Sequence, residues 1–409
     1  MLYLRDATVI DWETLAQKRG NLEVSEFSSR FVAKIPPGAK VVDCAGKFVT
    51  KSFAIAHHHL YSALARGMPA PKRSPKSFVD ILKLIWWNLD KKLDHDMIRA
   101  CALAGAIDAA KSGATFVIDH HSSPNAIKGS LSLIAECLEE VGLSHLLCYE
   151  LSDRDGLARR DEGLAETASY LKKRPGLVGL HASFTVSDEL LKKAVDLAHS
   201  FGTGIHVHAA EAASDETDCV KKYGCRVVER FAKTGALDIG RTLLAHGVHF
   251  DQRERKIFKN SAAWLVENSE SNQNNGVGKF SDEGLGDRIL IGTDGMHGSA
   301  LQSARASFLS GGLTPVAAYA RLCRVNDYLR RNGLDSVEGD LVILDYQSPT
   351  PVTKENWPAH VVYALDREHV ESVISRGRLI VDKRRMVLVN EDEILKSARK
   401  QAERLWRKL

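Results

Sequence analysis

The sequence has no apolar run of the roughly 18 or more residues that would predict a transmembrane helix. Its apolar segment Ile81–Trp87 is too short to cross a bilayer. The first residues, MLYLRDATVIDW, also lack the basic region and long apolar region of a secretory signal. The sequence therefore predicts neither export nor membrane insertion.

The sequence also lacks closely spaced cysteine pairs and long basic segments. The seven cysteines are widely spaced and include no C-x-x-C pair, which predicts reduced thiols in a cytoplasmic protein. The net charge of +4 is spread along the chain, and the basic runs at 383–385 and 396–408 are short and interrupted. Without interleaved aromatics or a known module, these runs do not predict nucleic-acid binding.

What is present is typical of a globular enzyme. With 409 residues, 44% hydrophobic and 26% charged, the chain is expected to form one large and one small domain. Short alternating runs occur in the first 50 residues and return near Leu341. We therefore predict a small β-sandwich domain from residues 1–50 and 336–390, a central domain over 51–335 and a C-terminal helix over 391–409.

The central segment alternates short apolar strands with segments of helical periodicity, such as Met97–Lys111, Leu131–Val141, Asp188–Phe201 and Asp218–Lys233. Eight such units predict an α/β fold, a (β/α)8 TIM barrel. The predicted strands are Ser52–Leu60, Ala114–Ser122, His145–Leu151, Leu177–Ser183, Gly204–Glu211, Thr242–Phe250, Ala262–Ser271 and Arg288–Gly295.

Six of these strands begin apolar and end in histidine or carboxylate. Their sequences are FAIAHHH, TFVIDHH, LVGLH, IHVHAAE, LLAHGVH and LIGTD. In a TIM barrel the carboxyl ends of the strands meet at one mouth and carry the chemistry. A purely structural role would require each imidazole to find a buried partner. The pattern therefore predicts an active site at this mouth.

His57 and His59 are two residues apart on a strand, so both face the interior while His58 points away. An H-x-H pair alone is more typical of surface histidines or of core histidines with hydrogen-bond partners. His208 on the fifth strand and Asp294 at the end of the eighth add two further ligands. Three nitrogens and one oxygen suit one divalent metal, zinc first and iron as the alternative, with a position for water.

The ordered motifs resemble the amidohydrolase superfamily, in its cytosine deaminase and chlorohydrolase-like branch and nearest the SsnA-type aminohydrolases. The motifs are FAIAHHHLYSALARGM, VIDHHSSP, LHASFTVSD, HVHAAE, LLAHGVHF, NSESNQNNGVG and IGTDGM. The resemblance implies that His57, His59, His208 and Asp294 bind the metal. It also implies that Glu211 shuttles protons and that His246 is a catalytic histidine that contacts water or substrate more than the metal.

Three further residues are candidates for substrate binding. His181 stands where two-metal relatives carry a modified lysine, so one metal is expected. His181, His121 and Asn272 could contact substrate, although a strand-end hydrogen bond or a turn would explain each equally simply.

The sequence departs from the family at Lys51-Ser52, at Glu267 and Ser269 and in a shortened stretch from Leu301 to Asp340. These departures leave the identity of the substrate open.

The expected activity is hydrolysis of a non-peptide C–N bond in a small cyclic molecule. The leading hypothesis is deamination of an aminated purine, pterin or related ring. In it Asp294 orients the attacking water, Glu211 moves protons and His246 polarises the tetrahedral centre. Dechlorination, cyclic amide opening and a catalytically silent scaffold are the alternatives. A homodimer is left open.

Overall fold

The computed structural model describes residues 1–334 and 339–409. Eight strands lie at the positions predicted for the central segment, and their mutual pairings are parallel. The strands in chain order are β1 (Leu2–Ile10), β2 (Gln17–Val24), β3 (Ser29–Val32), β4 (Lys40–Asp43), β5 (Phe48–Lys51), β6 (Phe53–His58), β7 (Ala114–His121), β8 (Ser144–Tyr149), β9 (Val178–Ala182), β10 (Ile205–Ala209), β11 (Leu243–His246), β12 (Trp264–Glu267), β13 (Ile289–Ile291), β14 (Leu341–Leu344), β15 (Val370–Ser375), β16 (Arg378–Asp382) and β17 (Arg385–Met386).

The central strands form two parallel sheets, with the orders β6-β7-β8 and β9-β10-β11-β12-β13. Isolated bridges join Leu147 to Gly176 and Leu151 to Leu180, between β8 and the region of β9. Another bridge joins His58 at the end of β6 to Asp294 just beyond β13. Every residue of β6, β7 and β9 to β13 is buried, as expected for parallel strands covered by helices.

Helices connect these strands, as the βα pattern predicted. They are α1 (Phe78–Ile81), α2 (Trp87–Leu89), α3 (His95–Lys111), α4 (Ser130–Val141), α5 (Leu157–Leu171), α6 (Asp188–Ser200), α7 (Ala213–Tyr223), α8 (Val227–Lys233), α9 (Gln252–Asn260), α10 (Ser269–Asn274), α11 (Ala300–Gly311), α12 (Pro315–Arg331), α13 (Trp357–Tyr363) and α14 (Glu391–Trp406). A π-helical turn, Leu82–Trp86, joins α1 to α2.

Two local predictions were wrong. The seventh strand was expected to continue to Ser271, but β12 ends at Glu267 and the polar run SESNQN forms α10. The predicted helix Asp218–Lys233 is two helices, because Gly224 ends α7 in the left-handed conformation with φ 68°. The first change places Asn272 on a helix beyond the strand and not on the strand itself.

The strands from both chain ends share one nine-stranded sheet, in which β5 pairs with β14 and β1 pairs with β2, β4 and β5. Leu4, Val49 and Ile343 belong to its separate apolar cluster. The predicted boundary between 335 and 336 lies outside the described residues. Within the described ranges, each helix is too short or too polar to cross a membrane.

Candidate metal centre and active site

The four predicted metal ligands meet at one point of the structure. His57, His59, His208 and Asp294 are all buried, and each offers one ligand atom within 4.8 Å of the others. The Nε2 atoms of His59 and His208 are 3.2 Å apart, and Asp294 Oδ1 is 3.1 Å from His59 Nε2. His57 lies on β6 and His59 directly follows it, while His208 lies on β10 and Asp294 in the loop after β13. The four ligands thus stand at or just beyond the carboxyl ends of parallel strands.

The outer nitrogens of these imidazoles have partners that fix the ring orientation. His59 Nδ1 is 2.6 Å from the carbonyl oxygen of His120, and His208 Nδ1 is 2.7 Å from that of His181. A carbonyl can only accept, so each Nδ1 carries a hydrogen, and in the neutral ring each Nε2 has its lone pair toward the centre. His57 Nδ1 contacts His206 Nε2 at 2.9 Å, and its own Nε2 is buried without a hydrogen-bond partner.

The charge balance of this cluster also suits a metal ion. Burial lowers the pKa of His57 to about 3 and that of His208 well below its usual value, so both rings are neutral ligands. Burial opposes charge on His59 too, yet Asp294 raises the pKa of His59 to about 9. The carboxylate thus favours positive charge at the centre. The donor set of three nitrogens and one carboxylate fits a divalent transition metal.

Glu211 and His246 stand beside this cluster. His246 Nε2 is 3.5 Å from Glu211 Oε2 and 3.9 Å from Asp294 Oδ2. Burial and the nearby charge of Asp294 raise the pKa of Glu211, although His246 opposes the change. Burial likewise opposes ionisation of Asp294, but His57 and His59 hold the pKa of Asp294 well below its usual range. The two carboxyl groups are therefore driven toward opposite protonation states, which suits a proton donor beside an acceptor.

The backbone is strained at the points where the strands deliver these side chains. His246 has a φ of 77°, Asp294 of 49° and Ala210 of 50°. Residues other than glycine seldom adopt this left-handed region, and such positions concentrate at functional sites. The strain turns the chain at the carboxyl ends of β10, β11 and β13, which indicates that packing around the site holds this geometry in place.

The structure gives Asn272 and His121 positions that differ from a substrate-contact role. Asn272 is 1% exposed, and its Oδ1 accepts a hydrogen bond from His246 Nδ1 at 2.8 Å. It therefore orients His246 from behind. His121 is also 1% exposed, and its Nε2 lies 2.9 Å from Ser123 Oγ. Neither side chain is among the described residues that line the cavity.

His181 does line the cavity. The hydroxyl of Thr185 donates to the Ala182 carbonyl at 3.1 Å, so its oxygen accepts from His181 Nδ1 at 2.6 Å. Burial lowers the pKa of His181 to about 4, so the ring is neutral and Nε2 is a hydrogen-bond acceptor. This places an acceptor at the mouth of the metal cluster, as a substrate-binding histidine requires.

A cavity lies over the cluster. It is lined by His59, Tyr61, Ser62, Phe78, Leu82, Trp86, Trp87, Glu150, His181, Ala182, Phe184, His208, Glu211, Asp215, His246, Ser271, Asn274, Asn275, Asp294, Gly295 and Met296. Sequence reasoning missed Glu150, Trp86, Trp87 and Asn275. Glu150 follows β8 directly and carried the same strand-end signal as the histidines, whereas the tryptophans reach the site through the π-helical turn.

The unusual seventh-strand residues do not line the cavity. Glu267 is 1% exposed and pairs with Arg321, and Ser307 Oγ donates to it at 2.8 Å. Ser269 also donates to Glu267. The departure at these positions therefore forms a satisfied buried ion pair behind the strand.

We expect Asn272→Ala to lower kcat by about tenfold or more with little change in KM, because His246 loses the partner that fixes its orientation. Steady-state kinetics on the metal-loaded enzyme checks this. Gln273→Ala on the same helix is the control, since Gln273 is exposed and is not among the described residues that line the cavity. An unchanged kcat in Asn272→Ala would remove the positioning role.

Comparison with known proteins decides the family. The model of the amidohydrolase family matches residues 52–330. The chain belongs to the amidohydrolase family. This membership confirms the predicted resemblance at family level and the prediction of a hydrolase acting on C–N bonds other than peptide bonds. The narrower likeness to SsnA-type proteins stays a prediction.

Curated relatives match across nearly their whole length. A 5-methylthioadenosine/S-adenosylhomocysteine deaminase of Desulforudis audaxviator is 27% identical, over 94% of this chain and 95% of the relative. A 5'-deoxyadenosine deaminase of Methanococcus maripaludis is 24% identical, over 94% of this chain and 93% of the relative.

Solved structures resemble the fold of the whole chain. An adenosine deaminase of Xanthomonas campestris with bound zinc superposes with a TM-score of 0.84 at 17% identity, over 100% of this chain and 99% of the other. The atrazine chlorohydrolase TrzN of Arthrobacter aurescens, solved with zinc, gives 0.82 at 16% identity, over 98% and 100%. At these identities the likeness shows the mixed α/β fold with parallel sheets.

Proposed function

We propose that this amidohydrolase removes ammonia hydrolytically from an aminated heterocycle of the purine, pterin or pyrimidine type. The observation that carries the proposal is the juxtaposition of Glu211, His246 and Asp294 around one point beside the four-ligand cluster. The deaminase relatives that match nearly end to end support the same reaction. The predicted deamination is thereby favoured over dechlorination and ring opening.

We further propose a closed eight-stranded barrel that holds one zinc ion. The bridges between β8 and β9 and between His58 and Asp294 lie where two parallel sheets would join into a ring. The zinc reported in solved neighbours supports the choice of metal. The sandwich form of the terminal sheet, the location in the cytoplasm and a homodimer stay predictions.

Each residue of the site has its own role in the proposed reaction. A divalent metal held by His57, His59, His208 and Asp294 would lower the pKa of a water toward about 7 and so supply hydroxide. The low pKa of the Asp294 carboxyl group keeps it ionised at neutral pH, so it can accept a proton. Glu211 donates a proton to the ring nitrogen and to the departing amine, which must be protonated before it can leave.

Two further side chains position this chemistry. His246 Nδ1 donates to Asn272, which holds the ring so that Nε2 faces Glu211 and Asp294. Asn275 Nδ2 donates to Glu211 Oε1 at 3.2 Å and limits the rotation of that carboxyl. Both contacts reduce the reorganisation needed when charge develops at the reacting carbon.

The test is a coupled ammonia assay of the zinc-loaded enzyme against aminated purines, pterins and pyrimidines, with chlorinated rings and cyclic amides as the comparison panel. We expect ammonia release from at least one aminated ring. Chloride release or ring opening without ammonia would show that the chemistry is different, and inactivity toward every class would show a scaffold without catalysis.

A further inference from the structure

Four carboxyl groups line the cavity, from Glu150, Glu211, Asp215 and Asp294, and among the described lining residues there is no lysine or arginine. Asp294 belongs to the metal cluster, while burial raises the pKa of Glu211 and raises that of Asp215 to about 7. A phosphate or carboxylate held beside Glu150 would meet like charge without a lining side-chain cation to pair with. This part of the lining therefore disfavours acid-bearing groups.

Glu150 is the carboxylate that the proposed chemistry leaves unused. Asp294 belongs to the metal cluster and Glu211 to proton transfer, while Asp215 Oδ2 accepts from the backbone N–H of Ala210 at 2.9 Å. Glu150 follows β8, and one of its oxygens lies within 4.8 Å of a ring nitrogen of His181 and of His208.

Ion pairs hold Glu150 in place. Arg154 Nη2 is 3.7 Å from Glu150 Oε1, and this guanidinium also pairs with Asp90 and contacts Asp155 at 3.0 Å. Asp155 pairs with Lys91 as well, at 2.6 Å. Three carboxylates thus share two cations, so carboxylates outnumber cations in this network. Glu150 Oε2 also lies 3.4 Å from His120 Nδ1.

Aromatic side chains complete this part of the cavity. Trp87 lies with its ring centre 5.8 Å from that of His181 and 6.4 Å from that of Phe184. The guanidinium of Arg154 already sits 5.1 Å from the centre of the Trp87 ring. Aromatic faces beside a carboxylate bind flat cations, because the ring quadrupole and the carboxylate both attract positive charge.

We propose that the preferred substrate is a planar amidinium or guanidinium ring that is positively charged at neutral pH, and that Glu150 is the residue that selects it. The proposal rests on the deamination proposed above. Water adds to the amidinium carbon, the C–N bond to the amino group breaks, and the amine leaves with the ring's extra proton. The cation and water thus give a neutral lactam and one ammonium ion.

Matched ring pairs test this selectivity on the zinc-loaded protein. Calorimetry would compare 1-methyladenosine, a cation at pH 7, with neutral adenosine, and 3-methylcytidine with cytidine. We expect each methylated cation to bind about tenfold or more tightly than its neutral partner. Glu150→Gln should abolish this preference and leave the Kd of the neutral ring nearly unchanged. Glu162→Gln, a surface carboxylate on α5, is the control and should keep the preference.

The outcomes separate the two proposals. Equal Kd values within both pairs, no binding by either cation, or a preference that survives Glu150→Gln would overturn the role of Glu150. A second equivalent of metal that is lost in Glu150→Gln would do the same, by making Glu150 a ligand. Preferential binding of cations without ammonia release from any ring would overturn the deaminase proposal and leave the selectivity intact. The comparison within wild-type protein holds even if Glu150→Gln folds poorly.

Discussion

In the double variant His57→Ala/His208→Ala we expect the metal content to fall from about one ion per chain to near zero and turnover to disappear. The change removes two of the three imidazole ligands and leaves His59 and Asp294, too few to hold a transition metal in competition with water. Elemental analysis of protein purified without chelator measures the metal, and the ammonia assay measures turnover.

The same site should stabilise the fold. A metal bound only by the folded state at about 1,000 times its Kd contributes roughly 4 kcal/mol, so a chelator should lower the Tm of the wild type but hardly that of the double variant. His199→Ala, at an exposed position on α6, should keep both metal and Tm. Full metal occupancy in the double variant would refute the assigned ligands.

The strand ends were predictable because they follow from local pattern. Each parallel strand is a short buried apolar run, and the catalytic polar side chains stand where the run ends. His57, His59, His208 and Asp294 could therefore be identified from the sequence and meet in the structure. Glu150 carried the same signal at the end of β8, but an isolated carboxylate between a strand and a loop is too common to single out.

Features set by loop conformation could not be predicted in this way. The run SESNQN has no periodicity that distinguishes a strand end from a helix. The sequence therefore did not predict that Asn272 lies on a helix and hydrogen-bonds to His246. Trp86 and Trp87 end an apolar run that the sequence showed only to be too short to cross a membrane, and the π-helical turn brings them to the cavity. Both depend on contacts far apart in the chain, which a single sequence does not encode locally.

We expect Glu211→Gln to keep the metal and the fold but to lower kcat by about a hundredfold or more. The amide has the same shape as the carboxyl group and can still accept the hydrogen bond from Asn275, but it cannot donate and accept a proton in turn. KM should change little, since Glu211 acts on the reacting atoms and not on the whole ring. Steady-state kinetics and metal analysis on the same preparation measure both quantities.

So large an effect is expected because the carboxyl groups of Glu211 and Asp294 are driven toward opposite protonation states. Burial and Asp294 raise the pKa of Glu211, so it keeps a proton to higher pH than an ordinary glutamate, and kcat should fall as pH rises through that raised value. Glu216 on α7 provides a matched control, because burial and the neighbouring Glu254 raise its pKa too, but it lies outside the cavity lining. Glu216→Gln should therefore leave both kcat and the pH profile unchanged. Near-normal turnover in Glu211→Gln would require another residue, with Asp294 the nearest candidate, to carry the proton.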